Sequence, residues 1–252
     1  MKLLKYLALS FVVVAVAVIS KTNNFSIAES LEWGYSGAEG PGNWGDLSPE
    51  FAACKLGKEQ SPINIENGSE ANLPDIQLTY DNTPFNIVNN GHTIQLNYKP
   101  GSRMTIGGKE YELLQFHFHA PSEHTLNGKF YPMEAHLVHQ AADGEYAVLG
   151  IFIEEGDRNE FMDVLWSNIP MSGAENIVSG VEINASALPP QNKSYYHYDG
   201  SFTTPPCTEG VNWNVLATPI QASKEQIANF TSFYQENARP VQPLNDRSLE
   251  VD

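Results

Sequence analysis

Short segments in which apolar and polar residues alternate recur along most of the chain, and this pattern predicts β-strands. Six segments show it: Gln77–Tyr80, Thr93–Tyr98, Tyr111–His119, Ala135–Val138, Tyr146–Ile153 and Asn212–Leu216. Asn159–Asn168 and Ser223–Asn237 have helical character, and Ser223 and Gln226 stand at the N-cap and capping-box positions of the second. We therefore predict an α+β fold with a mostly antiparallel sheet and a few helices.

Neither an internal repeat nor a low-complexity linker divides the body of the chain, which predicts a single domain. Leu31–Gly57 and Asn184–Pro206 lack a periodic pattern and predict long ordered loops. Loops of that length in a compact domain usually carry function.

The first residues have the pattern of a secretory signal peptide. Lys2 and Lys5 precede an apolar run over Leu7–Ile19, and the small residues Ser26 and Ala28 follow it. The alternative is a membrane anchor, but the run is shorter than the ~20 residues that span a bilayer. We expect residues 1–28 to be removed and residues 29–252 to form the mature domain. This predicts a periplasmic or secreted protein without stable membrane insertion.

The charge balance limits the choice of partner. The chain has 252 residues, with 14 Lys and Arg against 30 Asp and Glu, a net charge of −16. Signal cleavage would remove three lysines and no acid, and so take the charge to −19. Phosphate contacts require a Lys/Arg surface, so nucleic acid is excluded as a partner and anionic lipid is disfavoured. A small neutral or anionic substrate in a local pocket is allowed.

The chain has two cysteines, Cys54 and Cys207. In an exported protein the simplest reading of a pair is a disulfide, and the alternative is two buried free thiols.

Histidines carry the candidate chemistry. On a strand, Gln115, His117 and His119 would share one face, because successive side chains alternate between faces. By the same parity Glu134 and His136 would share a face of another strand. If the two strands adjoin, three imidazoles converge, and three neutral histidines with an open fourth position are typical of a catalytic zinc site. Gln115 and Glu134 would then accept hydrogen bonds from the ligand rings.

Two alternatives stay open on residue spacing alone. Histidines at i and i+2 on a strand also occur simply as hydrogen-bonding groups. His117, His119 and Glu123 have the spacing of a cupin metal motif as well, although Tyr111 stands where cupins have glycine. His124, His139 and His197 do not fit the shared face and are predicted to be structural.

Ten ordered blocks between about residues 31 and 247 resemble the alpha-class carbonic anhydrases, in particular exported bacterial members. The blocks are Trp33-Gly34-Tyr35, Gly42-Asn43-Trp44, Gln60–Ile65, Asn89–His92, Gln115–His119, Ser122–His124, Glu134–His139, Ala147–Phe152, Thr203–Val211 and Asn237–Leu244. Each block alone is modest, and their order makes the set specific. The resemblance implies a large twisted, mainly antiparallel sheet with zinc at the base of a cone-shaped cleft.

The resemblance also implies roles for individual residues. It implies zinc ligands at His117, His119 and His136, with Gln115 and Glu134 bonded to the ligands. It implies a catalytic set in which His92 shuttles protons, Thr203 accepts a hydrogen bond from zinc-bound hydroxide, and Glu123 accepts the threonine proton. Thr204 would help to hold bicarbonate, and Tyr35 and Asn90 would order water on the path to His92. The carbon dioxide pocket would be formed by Val138, Val148, Phe202, Val211 and Trp213, with Phe202 where many members have leucine. Cys54 and Cys207 match the disulfide of exported members.

The function implied is zinc-dependent, reversible hydration of carbon dioxide to bicarbonate and a proton. The alternative is a non-catalytic, carbonic-anhydrase-like binding module; such modules typically lose ligand histidines, and here all three are present. We expect Zn²⁺ as the cofactor, a small-molecule substrate, and a monomer or homodimer.

Overall fold

The computed structural model describes residues 32–252. The predicted signal peptide, residues 1–28, lies outside this part of the chain. Four α-helices are present within it: α1 (Trp44–Leu47), α2 (Ala53–Leu56), α3 (Glu160–Trp166) and α4 (Lys224–Phe233). Short 3₁₀ turns occur at Gly37–Glu39, Pro49–Phe51 and Ala185–Ala187. Within residues 32–252, no helix is long and apolar enough to cross a bilayer.

Strands dominate the structure. They are β1 (Asn64–Ile65), β2 (Ser69–Glu70), β3 (Gln77–Thr79), β4 (Thr83–Asn89), β5 (Ile94–Asn97), β6 (Arg103–Ile106), β7 (Lys109–His119), β8 (Thr125–Leu126), β9 (Lys129–Phe130), β10 (Met133–Ala141), β11 (Tyr146–Glu155), β12 (Ala174–Ile183), β13 (Tyr195–Ser201), β14 (Glu209–Ala222) and β15 (Glu250–Val251).

Twelve strands form one large sheet. Its main path runs β12-β4-β5-β7-β10-β11-β14-β13-β15-β2, with β6 joined to β7 and β3 joined to β6. The pairs are antiparallel except for β11 with β14 and β15 with β2. A smaller sheet of β1, β8 and β9 lies apart from it. The predicted α+β class with a mostly antiparallel sheet is confirmed.

The central strands are covered by apolar residues on both faces. Phe116, Phe118 and Leu137 belong to a large cluster on one face, where Phe118 packs against Trp166 of α3 with ring centroids 4.9 Å apart. Val138 and other apolar residues form a second cluster on the opposite face. Each fully buried aromatic or aliphatic side chain contributes about 1.5–3 kcal/mol. The two strands that carry the candidate histidines are therefore held rigidly at the centre of the sheet.

Several local predictions are confirmed, and two required correction. All six predicted strands are present, and Ser223 and Gln226 form a complete capping box on α4. The predicted loop Asn184–Pro206 contains β13, whose neighbours β14 and β15 supply the partners that its polar sequence does not reveal. The predicted loop Leu31–Gly57 folds into short helical turns in its described part. Cys54 and Cys207 form the expected disulfide, with Cα atoms 5.0 Å apart.

Candidate metal centre and active site

Strand register brings three histidines together. β7 and β10 are antiparallel neighbours, and His117 lies directly opposite His136 while His119 lies opposite Glu134. Because side chains alternate along a strand, the three imidazoles project from one face and Phe116 and Phe118 from the other. The register of this pairing shifts between Val138 and His139, and so does not affect the pairing of His117, His119 and His136.

The three rings are close enough to share one metal ion. Nitrogen atoms of His117, His119 and His136, one from each ring, lie within 4.8 Å of one another. Ring centroids are 5.0 Å apart for His117 and His119, 5.3 Å for His117 and His136, and 4.6 Å for His119 and His136. His119 and His136 are buried, and His117 is half-buried and lines a cavity.

Each imidazole donates one ring N–H to a fixed oxygen. His117 Nδ1 lies 2.9 Å from Gln115 Oε1, and His136 Nε2 lies 2.8 Å from Glu134 Oε1. His119 Nδ1 lies 2.6 Å from the backbone oxygen of Asn237. An acceptor at one ring nitrogen places the proton there and leaves the lone pair on the other nitrogen. The nitrogens left for a metal are Nε2 of His117, Nε2 of His119 and Nδ1 of His136.

An orphaned nitrogen shows that these residues fit a cation. His119 Nε2 is buried and has no hydrogen-bond partner. A buried polar atom without a partner costs about 1–3 kcal/mol, and buried orphans call for an explanation such as a bound ion. Imidazole suits zinc, and three histidines match the donor set of a catalytic zinc site.

The protonation states of the rings differ. Burial, reinforced by the neighbouring rings, lowers the pKa of His117 well below its ordinary value. Burial also lowers the pKa of His119, so both imidazoles are held neutral, the form that binds metal. Burial acts the same way on His136, but the adjoining Glu134 carboxylate outweighs it and raises that pKa.

Glu134 is a fully buried carboxylate in a saturated hydrogen-bond network. Its Oε1 also accepts from His124 Nδ1 at 2.8 Å, and its Oε2 accepts from the backbone N–H groups of Glu123 and His124, each at 2.9 Å. Burial opposes ionisation of Glu134, but His124 and His136 outweigh it and hold its pKa well below the ordinary value. Glu134 is therefore an anion that anchors His136.

His124 was predicted to be structural, and it is linked to the metal centre through Glu134. Its Nε2 lies 2.6 Å from the hydroxyl of Tyr198, which in turn donates to Ser61 at 2.8 Å. His124, Glu134 and His136 are close enough to suggest a second metal cluster. Both nitrogens of His124 are already engaged, so this group is a hydrogen-bond network. His139 and His197 lie elsewhere, bonded to Tyr80 and to the backbone of Trp213.

Glu123 lies beside the three histidines and is fully buried. Its Oε1 accepts from the backbone N–H of Arg239 at 2.8 Å. Its Oε2 lies 3.5 Å from His119 Nε2 and 3.8 Å from His136 Nδ1, and has no hydrogen-bond partner. One carboxylate oxygen is thus fixed by the backbone, and the other is left free at the site.

A cavity of about 80 Å³ opens next to the histidines. It is lined by Gln115, His117, His136, Val138, Val148, Phe202, Thr203, Thr204 and Trp213. On this measure about 10–15 Å³ holds one water, so the cavity has room for several waters or a small ligand. Val211 belongs to the apolar cluster that forms the back of this wall. Tyr146 packs edge-on against Phe202, with ring centroids 4.9 Å apart, and fixes the phenylalanine at the wall.

His92 does not line this cavity. Its half-buried ring stacks on Trp33, with centroids 3.8 Å apart and planes inclined by 7°. Burial lowers the pKa of His92. Asn90, expected to order water, uses Oδ1 to accept the backbone N–H groups of His92 and Thr93, each at 2.9 Å.

Tyr35 packs between Trp33 and Trp44, with centroid distances of 5.6 and 5.8 Å. Burial raises the pKa of Tyr35 well above its ordinary value, and the negative charge of Glu123 adds to the increase. Tyr35 is therefore neutral at ordinary pH and can act as a hydrogen-bonding group.

Sequence reasoning missed Asn237 and Arg239 as parts of this site. Both residues act through backbone groups. The Asn237 oxygen accepts a hydrogen bond from His119, and the Arg239 N–H donates one to Glu123. Any residue type has these groups, so the only available signal was the resemblance of Asn237–Leu244 to the family.

The fold and site define a protein with a candidate three-histidine metal centre in a large, mostly antiparallel sheet. Residues 39–252 match the family model of the eukaryotic-type carbonic anhydrases. The chain is 43% identical to a carbonic anhydrase of Nostoc sp., covering 98% of this chain and 95% of that one. It is similar to the structure of an alpha-carbonic anhydrase from Thermovibrio ammonificans in complex with sulfanilamide: the TM-score is 0.85 at 44% identity, over 88% of this chain and 100% of that one.

The likeness extends to dioscorin, whose crystal structure with ascorbate gives a TM-score of 0.80 at 33% identity, covering 87% of this chain and 97% of that chain. The chain belongs to the eukaryotic-type, or alpha, carbonic anhydrase family. It is thus an enzyme of a family whose reaction is carbon dioxide hydration, and the cupin alternative is discarded.

Proposed function

We propose that this chain catalyses the reversible hydration of carbon dioxide to bicarbonate and a proton, with Zn²⁺ held by His117, His119 and His136. The observation that carries the proposal is the convergence of three ring nitrogens whose opposite nitrogens are each fixed by an oxygen acceptor. When bound, zinc lowers the pKa of its water to about 7 and so supplies a nucleophile at neutral pH, an effect for which carbonic anhydrase is the standard example.

Glu123 and Thr203 orient the nucleophile. Glu123 Oε2 is the free acceptor beside the histidines, and Thr203 is on the cavity wall. We assign the Thr203 hydroxyl as donor to Glu123, which leaves the threonine oxygen to accept a hydrogen bond from the attacking oxygen. This arrangement directs a lone pair of the attacking oxygen towards the substrate carbon. The Arg239 backbone bond to Glu123 Oε1 keeps the carboxylate from rotating.

The cavity wall binds the substrate. Carbon dioxide is apolar and needs an apolar surface rather than hydrogen-bond donors, and Val138, Val148, Val211 and Trp213 provide one. Phe202 narrows the space, and Thr204 holds bicarbonate after it forms. The cavity is large enough for a substrate of three heavy atoms.

His92 accepts the proton that the reaction releases. Its ring lies outside the cavity lining and is partly exposed, so that solvent can take up the proton from it. Burial lowers the pKa of His92 and keeps the ring neutral, which is the form that accepts a proton. Tyr35 and the side-chain amide of Asn90 order water between the site and His92.

The mature domain, residues 29–252, acts in an oxidising compartment. The disulfide between Cys54 and Cys207 supports export to the periplasm or beyond the cell, because disulfides persist there and are rare in the cytosol. We expect a monomer or homodimer. Binding modules without catalysis typically lose one or more ligand histidines, whereas here the three histidines, Thr203 and Glu123 are all present.

Stopped-flow measurement of carbon dioxide hydration on the mature chain, with metal analysis of the same sample, tests the proposal. We expect fast hydration with one zinc per chain. A zinc-loaded protein that does not hydrate carbon dioxide would support the binding module. Hydration by a protein without zinc would overturn the ligand assignment.

A further inference from the structure

The side chain of Asn237 bridges two parts of the molecule that the reaction requires. Asn237 lies in the C-terminal segment after α4 and is fully buried. Its Nδ2 donates to the backbone oxygen of His92 and to that of Phe118, each at 3.0 Å. Its Oδ1 accepts the backbone N–H of Ala120 at 2.8 Å. Phe118 and Ala120 flank the ligand His119.

Two separate groups of Asn237 make these contacts. The backbone oxygen bonds to His119 Nδ1, and the side-chain amide bonds to His92. A substitution at position 237 removes the amide but keeps the backbone oxygen. The side chain also bonds to Phe118 and Ala120 on either side of His119, so measuring zinc content in the same variant separates an effect on the metal ligand from an effect on the backbone of the proposed shuttle.

The turn that carries His92 depends on such outside support. Gly91 has a left-handed φ of 87°, so the chain turns sharply immediately before His92. Within the turn, Asn90 Oδ1 accepts the backbone N–H of His92. From outside it, the Tyr234 hydroxyl bonds to Asn89 Oδ1 and to the Thr93 oxygen. The bond from Asn237 fixes the carbonyl of His92 itself.

We propose that the Asn237 side chain is a positioning residue for proton transfer. It fixes the backbone of His92 relative to the strand of His119, and so holds the imidazole on Trp33 at a set distance from the metal centre. This inference rests on the proposed function, because it assumes that His92 accepts the proton. It extends that function by predicting a residue that controls proton transfer without controlling metal binding.

Asn237→Ala tests this directly. In weak buffer we expect kcat for hydration to fall by about tenfold, within the 100-fold loss that a 1 Å misplacement produces. Imidazole in the buffer should restore most of the loss. The ratio kcat/KM and the zinc content should stay near those of the wild type, because the backbone bond to His119 remains. A fall of kcat/KM and zinc content together would overturn the proposal and indicate a merely structural role.

A second variant covers the case in which alanine does not fold. Asn237→Leu keeps the approximate size of the side chain and adds no charge, but loses both N–H donors and the acceptor for Ala120. It should show the same selective loss of kcat in weak buffer. Asn184→Ala is the matched control, since its amide also bonds to a backbone oxygen, that of Tyr80, away from the site. This control should leave kcat unchanged.

A structural readout is independent of turnover. The imidazole protons of His92 lie over the ring of Trp33 and should have ring-current-shifted NMR resonances. These resonances should move in Asn237→Ala and stay in place in Asn184→Ala. Unchanged His92 resonances in Asn237→Ala would overturn the proposal.

His92→Ala distinguishes failure of this inference from failure of the proposed function. If the shuttle is correct, Asn237→Ala adds no further loss in the His92→Ala background, because both changes remove the same step. A His92→Ala enzyme with wild-type kcat in weak buffer would overturn the shuttle and the positioning role with it. If His92→Ala lowers kcat in weak buffer as expected but Asn237→Ala leaves it unchanged, the positioning role alone is overturned.

Discussion

Glu134 Oε1 lies 2.8 Å from Nε2 of His136, two residues further along the same strand. Both residues are buried, and His124 donates to the same carboxylate oxygen from the opposite side. The carboxylate therefore determines which nitrogen of His136 carries the proton. Only with Nε2 protonated does Nδ1 of His136 face the other two imidazoles with a free lone pair.

Glu134→Gln should weaken zinc binding while the protein stays folded. The neutral amide is a poorer acceptor for His136 Nε2–H, and in either orientation its NH2 group faces two donors, the two rings or the backbone N–H groups of Glu123 and His124. Loss of a partner of this kind typically lowers metal affinity by roughly 10- to 100-fold. Transfer of zinc to a chelator measures the change. The exposed Glu155→Gln on β11 is the control, and an affinity equal to the wild type in Glu134→Gln would contradict the role.

His117→Ala should abolish zinc retention and hydration together, because two histidines alone do not complete a catalytic zinc site. Metal analysis after dialysis and stopped-flow assay of the same sample test this. His197→Ala removes an imidazole whose Nδ1 bonds only to a backbone oxygen, and should keep its zinc. Full zinc content and activity in His117→Ala would refute the ligand assignment.

His92→Ala should slow turnover in weak buffer and be partly rescued by imidazole. General acid–base groups typically contribute 10²–10⁴-fold, and buffer can replace part of that. Because burial lowers the pKa of His92 below 6.5, the neutral ring persists to a lower pH. In the wild type, the midpoint of the pH profile of kcat in weak buffer should therefore lie below pH 6.5. If kcat of His92→Ala does not depend on the buffer, another group carries the proton.

His139 makes stability sensitive to acid. Burial lowers its pKa to about 3, and its Nε2 contacts the Tyr80 hydroxyl at 2.7 Å. The unfolded chain binds a proton near the ordinary value of 6.5, whereas the folded chain binds it only near pH 3. His139 therefore costs the folded state nothing above pH 6.5, and the free energy of unfolding falls as the pH drops from 6.5 towards 3. The slope is about 1.4 kcal/mol per pH unit.

Urea unfolding at several pH values tests this in wild type and His139→Leu. The variant should be less stable at pH 7 by about 1–3 kcal/mol, because the Tyr80 hydroxyl loses its partner. Its stability should then fall less steeply below pH 6.5. Parallel curves for the two proteins would contradict a neutral buried His139.

The sequence predicted the part of the site that depends on strand alternation. His117 and His119 are two residues apart on one strand, and His136 lies on the neighbouring strand. Gln115 and Glu134 each precede a ligand by two residues, so the alternation of side chains places them on the same face as the ligands. The roles of these residues stay predictions, whereas their arrangement is present in the structure.

The remainder depends on contacts between distant segments. Asn237 reaches His119 across 118 residues through a backbone oxygen, which no residue type signals. His124 lies between strands, where no periodicity indicates its direction. The strand Tyr195–Ser201 has polar residues and a glycine, and it forms because β14 and β15 flank it. α4 ends at Phe233 rather than extending to Asn237, which frees the segment that supports the site.

Anomalous diffraction at the zinc absorption edge tests the central claim most directly. Crystals of the mature protein should show one strong peak between Nε2 of His117, Nε2 of His119 and Nδ1 of His136, at about 2.0–2.1 Å from each nitrogen. A peak elsewhere, or one bonded to Nε2 of His136 with Glu134 turned away, would contradict the account of how this chain builds its metal centre.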